Sequence, residues 1–68
     1  MRFRVTLKEY EGGLWCAQLE ENRQMFDGAQ WEMAANNHAH DRALALDGLK
    51  RGQTREHEER MRAIEAAQ

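Results

Sequence analysis

The chain has 68 residues, enough for one small domain with a limited core. Its formal net charge of −2 combines 10 Lys and Arg with 12 Asp and Glu, and neither sign is concentrated in one segment. This distribution excludes a basic or an acidic tail, and no uncharged stretch is long enough to span a bilayer. Cys16 is the only cysteine, so no intrachain disulfide supplements the core. We expect a soluble cytoplasmic protein that is stabilised by a partner or by a second copy of itself.

A β-hairpin is predicted at the start of the chain. Residues 2–10 alternate between polar and apolar side chains, which is the period of a strand with one buried face. The sequence Glu11-Gly12-Gly13 is typical of a tight turn, because glycine readily adopts positive φ. Residues 14–20 then form the predicted return strand.

The register of this hairpin follows from its two faces. A two-residue loop would place polar side chains opposite apolar ones, whereas a three-residue loop places Leu7 opposite Ala17. The three-residue loop also sets Arg4 opposite Glu20, a favourable cross-strand pair. We therefore predict the three-residue loop, with Gly13 in the left-handed conformation.

The longest predicted element is a helix over residues 28–51. Asp27 is suited to cap its N-terminus, and Gln30 stands where a capping box has Glu or Gln. Phe26 and Trp31 occupy the two positions of a hydrophobic staple. These local patterns agree on where the helix begins.

This helix would lay a stripe of alanine, leucine and Trp31 onto the sheet, with Arg42 as the one charged residue in the stripe. Arg42 would either extend to solvent or pair with a carboxylate. Met33 and Leu44 would lie on the opposite, polar face of the helix. A short third strand is expected at 24–26.

A second, short helix is predicted near the C-terminus, with Thr54 as its cap. Glu56–Arg60 and Glu58–Arg62 have the spacing of ion pairs on one helix face. We therefore expect an α+β fold, in which an antiparallel β-hairpin or three-stranded sheet is packed by one long helix. Residues 1–52 form the predicted ββ(β)α domain, and 53–68 form a helical tail that packs on the same domain or makes a dimer contact.

Residues 36–41 are the only stretch dense in metal-ligand side chains. On a helix, His38 and His40 would point about 200° apart and could not share one ion, although His38 and Asp41 would share a face. Cys16 is predicted on the outer sheet face near Lys8, with no histidine linked to it. The chain has no phosphate-binding glycine loop and no nucleophile elbow. We expect no catalytic activity, no metal and no cofactor.

Two surfaces are candidates for recognition. The first strand presents basic groups and a tyrosine that could meet an acidic protein or a phosphate backbone. The back of the long helix presents two apolar side chains that could meet a partner. The predicted partner-binding residues are Arg2, Arg4, Lys8, Tyr10, Met33 and Leu44. An ordinary solvated sheet face remains the competing interpretation of the first surface.

The predicted order of elements resembles that of the HicB antitoxin family over residues 3–50. Residues 11–17, Glu-Gly-Gly-Leu-Trp-Cys-Ala, resemble its acidic-Gly-Gly turn and following strand, and Phe26-Asp27-Gly28 through Leu46 is similar to its alanine-rich helix. The family's Pro-rich segment is missing, since the chain has no proline, and we expect no counterpart of the family's C-terminal DNA-binding domain within these 68 residues. The resemblance implies a partial ribonuclease-H-like layer that lacks catalytic carboxylates and occludes another protein.

Very small proteins without motifs are also similar, as a class, to phage-encoded inhibitors of host defence, including anti-CRISPR proteins. We therefore expect a non-catalytic inhibitor that occludes a protein partner, either a toxin or a host defence complex, with a homodimer as an additional assembly. The alternative is a nucleic-acid-binding regulator that uses the basic outer sheet face. No membrane partner is expected.

Overall fold

The computed structural model describes residues 2–24, 28–53 and 57–68. The strands are β1 (Phe3–Tyr10), β2 (Leu14–Asn22) and β3 (Trp31–Ala39), and the helices are α1 (Arg42–Arg51) and α2 (Glu58–Ala67). The three strands form an antiparallel sheet in the order β1-β2-β3, so that β2 is central. The predicted α+β class is confirmed, with the three-stranded form of the sheet.

The β1–β2 hairpin has the predicted register. Leu7 lies opposite Ala17, and Arg4 lies opposite Glu20. The connection Glu11–Gly13 is a single 3-10 turn in which both glycines have positive φ, 79° and 75°. A side chain would be strained in this left-handed region, and the Gly-Gly pair therefore permits the three-residue loop.

The helix predicted over residues 28–51 is wrong in its first part. Residues Trp31–Ala39 form β3, and α1 begins only at Arg42. Alanines at regular spacing suit a helix, but Ala35 and Ala39 also suit a strand that lies under a closely packed helix. Pairing with β2 supplies the backbone hydrogen bonds of this segment and overrides its local helical preference.

Asp41, rather than Asp27, caps α1. The Oδ1 atom of Asp41 accepts a hydrogen bond from the backbone N–H of Leu44 at 3.1 Å. The predicted cap Asp27 and the staple residue Phe26 lie outside the described residues, as does most of the strand expected at 24–26. Trp31, the other staple residue, begins β3. Because each aspartate precedes an alanine-rich segment, the capping pattern alone could not distinguish them.

The hydrophobic core lies between one face of the sheet, here called the inner face, and both helices. Its buried members come from β1, β2, α1 and α2 and are Phe3, Ala17, Leu19, Ala45, Leu46, Leu49 and Ile64. Helix α1 contacts β2 and β3, whereas α2 lies mainly against β1. Within the part of the chain that the structure describes, neither helix covers the opposite side of the sheet, here called the outer face.

Helix α1 approaches β3 most closely at Gly48. A Cβ atom added to Gly48 would collide with the side chain of Asn37, at 2.8 Å from its Cγ atom. The Nδ2 atom of Asn37 in turn donates to the carbonyl of Ala45 at 3.1 Å. The glycine therefore lets the helix backbone lie against the strand.

Arg42 joins the two helices. Its Nη2 atom donates to the carbonyl of Ala67 at 3.1 Å, where the last turn of α2 leaves carbonyls without helical partners. Of the two roles predicted for Arg42, the side chain extends to the surface and binds a backbone carbonyl instead of a carboxylate. The predicted cap Thr54 and the pairing residue Glu56 lie outside the described residues.

Candidate interaction surface

The outer face consists of alternate side chains from the three strands. Cross-strand pairing arranges it in rows, which are Lys8–Cys16–His38, Thr6–Gln18–Asn36 and Arg4–Glu20–Met33. Tyr10 extends the face at one end, and Trp31 extends it at the other. This face has no helix over it among the described elements, and it includes most of the predicted binding residues.

A β-bulge brings Trp31 to this face. The pairing of β2 with β3 shifts between Leu19 and Glu20, because Ala34 is an extra residue in β3. Met33 therefore lies opposite Glu20, and Trp31, two residues earlier, shares its face. The bulge thus places an aromatic ring beside the basic side chains of β1.

Four side chains form a connected group around the carboxylate of Glu20, here called the Glu20 cluster. Arg4 donates from Nε and Nη2 to the two carboxylate oxygens, each at 3.3 Å. Thr6 donates from its hydroxyl to Oε1 at 2.6 Å. The guanidinium carbon of Arg4 lies 4.1 Å from the centroid of the Trp31 ring, a cation–π arrangement. The cluster links all three strands.

Hydrogen bonding within the cluster favours the ionised form of Glu20. The hydroxyl of Thr6, and then the guanidinium of Arg4, lower the pKa of this carboxyl below its usual value. Partial desolvation acts in the opposite direction but is outweighed. Glu20 is therefore a fixed negative charge that compensates Arg4.

Arg2 was predicted on the outer face, but its side chain turns to the other side of the sheet. It forms ion pairs with Glu21 at 3.2 Å and with Glu59 of α2 at 3.6 Å. Its guanidinium also lies 5.2 Å from the ring centroid of the core residue Phe3. Arg2 precedes β1, so the pleat of the strand does not hold its side chain on the outer face.

Lys8 and Tyr10 lie on the outer face as predicted. Lys8 is exposed and has no ion pair with any described residue. Tyr10 is 46% exposed. The basic surface predicted from three residues thus reduces to Arg4, which is paired with Glu20, and Lys8, which is available to a partner.

Met33 and Leu44 do not share a helix face, because Met33 belongs to β3. Met33 is 55% exposed on the outer face, next to the Glu20 cluster, and Leu44 is 60% exposed on α1. They therefore belong to two different surfaces.

Cys16 is only 1% exposed, although it belongs to the outer face. It lies between Lys8 and His38 in the register, so the expectation that no histidine adjoins it is wrong. The prediction that His38 and His40 lie on one helix is wrong as well, since His38 is in a strand and His40 follows it. Among the described residues, no group of three or more His, Cys, Asp and Glu side chains is placed to hold a metal ion.

Sequence reasoning missed Trp31, Thr6 and Glu20 as members of one site. The pairing of Arg4 with Glu20 follows from the predicted register, and the same register puts Thr6 on their face. Trp31 could not be placed, because its position depends on a strand and a bulge that the local sequence does not indicate.

No family model, no curated protein and no solved structure matches the chain. None of the described helices combines the length and apolar character needed to cross a membrane. The geometry of the outer face is therefore the basis for the candidate function of the protein.

Proposed function

We propose that the protein is a non-catalytic binding protein that occludes a protein partner with its outer face. The observation that carries this proposal is the Glu20 cluster, a hydrogen-bonded and charge-compensated patch next to the exposed side chains of Met33 and, further along the face, Tyr10. The cluster and these two side chains together form the proposed contact.

The composition of the outer face favours a protein partner. Aromatic residues, methionine and arginine are enriched at protein interfaces relative to the rest of the surface. Met33 and Tyr10 are two of the three large apolar side chains that are exposed among the described residues. The contacts of Arg4 with Glu20 and Trp31 hold its side chain in place, so less conformational entropy is lost on binding.

The charge of the outer face favours the same conclusion. A phosphate backbone is bound mainly by unpaired cations. Arg2 points away from this face and Arg4 is paired with Glu20, which leaves Lys8 as the available cation among the residues described on this face. We infer that the partner presents an apolar surface to Met33 and Tyr10, with a carboxylate near Lys8. The nucleic-acid alternative has less support, because it needs several free cations.

The composition of the sequence supports one class of partner. A small protein without catalytic motifs that occludes a larger one is an inhibitor, and a toxin or a host defence complex in the cytoplasm fits this role. The resemblance to HicB antitoxins and the class-level similarity to anti-CRISPR proteins both favour an inhibitor of this kind.

Site-specific photocrosslinking in the native cell tests it. A photoreactive amino acid replaces Met33 in one variant and Tyr10 in another, and a third variant carries it at Ala66, an exposed position of α2. We expect the same protein adduct from Met33 and Tyr10, and no such adduct from Ala66.

Two outcomes contradict the proposal. One is an adduct that forms equally well from Ala66, since the contact would then not be confined to the outer face. The other is a nucleic-acid adduct from Met33 or Tyr10, together with binding of RNA or DNA whose steep salt dependence disappears in an Arg4→Ala/Lys8→Ala variant. The second result would favour the alternative function, a nucleic-acid-binding regulator that uses the basic outer face.

A further inference from the structure

The free edge of β3 differs from the free edge of β1. Exposed strand edges can pair with other chains, and proteins commonly protect them with charged residues or proline. The edge strand β1 carries three charged residues, Arg4, Lys8 and Glu9. Strand β3 carries one charged residue, Glu32 near its start, and residues 33–39 contain no Lys, Arg, Asp, Glu or Pro. Among the described residues, the edge of β3 over 33–39 is therefore the unprotected one.

Leu44 lies on the same side of the molecule as this edge. The contact of Gly48 with Asn37 shows which side of α1 faces β3, and Leu44, four residues before Gly48, lies on that side of the helix. On the other side of α1, Lys50 contacts Glu65 of α2 at 3.6 Å. Leu44 is 60% exposed, so its side chain is not buried against the sheet.

We propose that two copies of the chain pair through the outer edge of β3, antiparallel about Asn37, to form a six-stranded sheet. A two-fold axis at this position makes the contact isologous, so that each copy offers the same surface to the other. The axis brings Leu44 of both copies towards each other on the helix side of the sheet. This assembly goes beyond the proposed function and does not depend on it.

The register about Asn37 is compatible with the faces of both copies. It places Ala35 opposite Ala39 of the second copy on the inner face, where small side chains leave room for the two α1 helices. On the outer face it places Asn36 opposite His38 of the second copy. No like charges face each other, and the bulge at Ala34 limits the pairing to residues 35–39.

The contact is short, so the dimer should be weak. Five residues of edge pairing and one leucine from each copy bury less area than a standard protein interface. A weak dimer is dominant only at high protein concentration, and association by mass action also raises the thermal stability. Both properties can be measured on the intact chain.

Light scattering across protein concentrations tests the proposal directly. From about 10 µM to about 1 mM, we expect the average mass to rise from that of one chain towards that of two. Leu44→Glu places two carboxylates near the axis, and Asn36→Lys adds a charge to the edge strand. Each variant should remain at the mass of one chain, whereas Ala66→Glu on the other helix should dimerise like the wild type.

A disulfide test locates the contact. Leu44→Cys should form a covalent dimer on mild oxidation, and Ala66→Cys should not; the native thiol of Cys16 does not interfere, because it is buried. Circular dichroism checks that each variant is folded, and the cross-linking result stands if Leu44→Glu fails this check. A wild type that stays monomeric at the highest concentration overturns the proposal. So does a dimer that cross-links through Ala66→Cys but not through Leu44→Cys.

Discussion

The guanidinium of Arg4 lies 4.1 Å from the ring centroid of Trp31, across the central strand that separates them. Arg4 belongs to β1 and Trp31 to β3, so this contact joins the two edge strands over the outer face. It depends on the bulge at Ala34, which turns Trp31 to the side of Arg4. A measurement of this contact therefore tests both the order of the strands in the sheet and the position of Trp31 on the proposed binding surface.

A double-mutant cycle measures the contact between Arg4 and Trp31. Exposed cation–π pairs contribute about 0.5–1 kcal/mol, and we expect a coupling energy of this size between Arg4→Ala and Trp31→Ala in the free energy of unfolding. Denaturant titration of the two single variants and the double variant gives the value. Additive effects of the two substitutions would show that the residues do not interact.

The pH dependence of stability should report the Glu20 cluster. The pKa of Glu20 is lower in the folded protein than its usual value, because Thr6 and Arg4 stabilise the carboxylate. Its contribution to the free energy of unfolding is therefore fully present above the usual carboxyl pKa and is lost as the pH falls through the lowered folded-state pKa. Urea titrations of wild type and Glu20→Gln should differ most near neutral pH and converge in acid. A difference that grows on acidification would contradict this assignment.

Thr6→Val removes the hydroxyl that donates to Glu20 and keeps the shape of the side chain. We expect a loss of about 1 kcal/mol of stability at neutral pH, and a smaller loss in acid, where the carboxylate is protonated. Equal losses at both pH values would mean that the hydroxyl does not act through the charge of Glu20.

The effect of Gly48→Ala on stability should have opposite signs in the wild type and in an Asn37→Ala background. In the wild type, Gly48→Ala should destabilise the fold, because the new Cβ atom collides with the Asn37 side chain. In an Asn37→Ala background the collision is absent, and the same substitution should stabilise α1 by up to about 1 kcal/mol through helix propensity. Thermal unfolding of the four proteins tests this. If Gly48→Ala were stabilising in the wild type, the close approach of α1 to β3 would be wrong.

The hydrogen bond from Arg42 to Ala67 should stabilise the end of α2. Arg42→Ala is expected to cost about 0.5–1.5 kcal/mol and to speed amide hydrogen exchange in the last turn of α2. Ala43→Gly, at the neighbouring exposed position of α1, is the matched control, because it weakens α1 by propensity without touching Ala67. Unchanged exchange in the last turn of α2 in Arg42→Ala would rule out this role for the arginine.

The hairpin could be predicted from the sequence to the level of its register. Its strands have a strict two-residue period, and the pairing of Leu7 with Ala17 is the arrangement that keeps one face apolar. The Gly-Gly pair then accounts for the length of the turn. Arg4 and Glu20 were placed together for the same reason.

The third strand could not be predicted in the same way. Residues 31–39 contain alanine, asparagine and histidine, whose spacing fits a helix as well as an edge strand, and both Asp27 and Asp41 precede such a segment. The choice is made by pairing with β2, which is a long-range interaction. The bulge at Ala34 is equally invisible in the local pattern, and with it the position of Trp31 on the outer face.

The central claim is that the outer face binds a protein partner, and titration calorimetry with the partner recovered by crosslinking tests it most directly. Met33→Glu puts a charge into the proposed contact and should weaken binding at least tenfold, about 1.4 kcal/mol, while Ala66→Glu on the helix side should bind like the wild type. Equal affinities of wild type and Met33→Glu, or a loss of binding in Ala66→Glu alone, would contradict the claim.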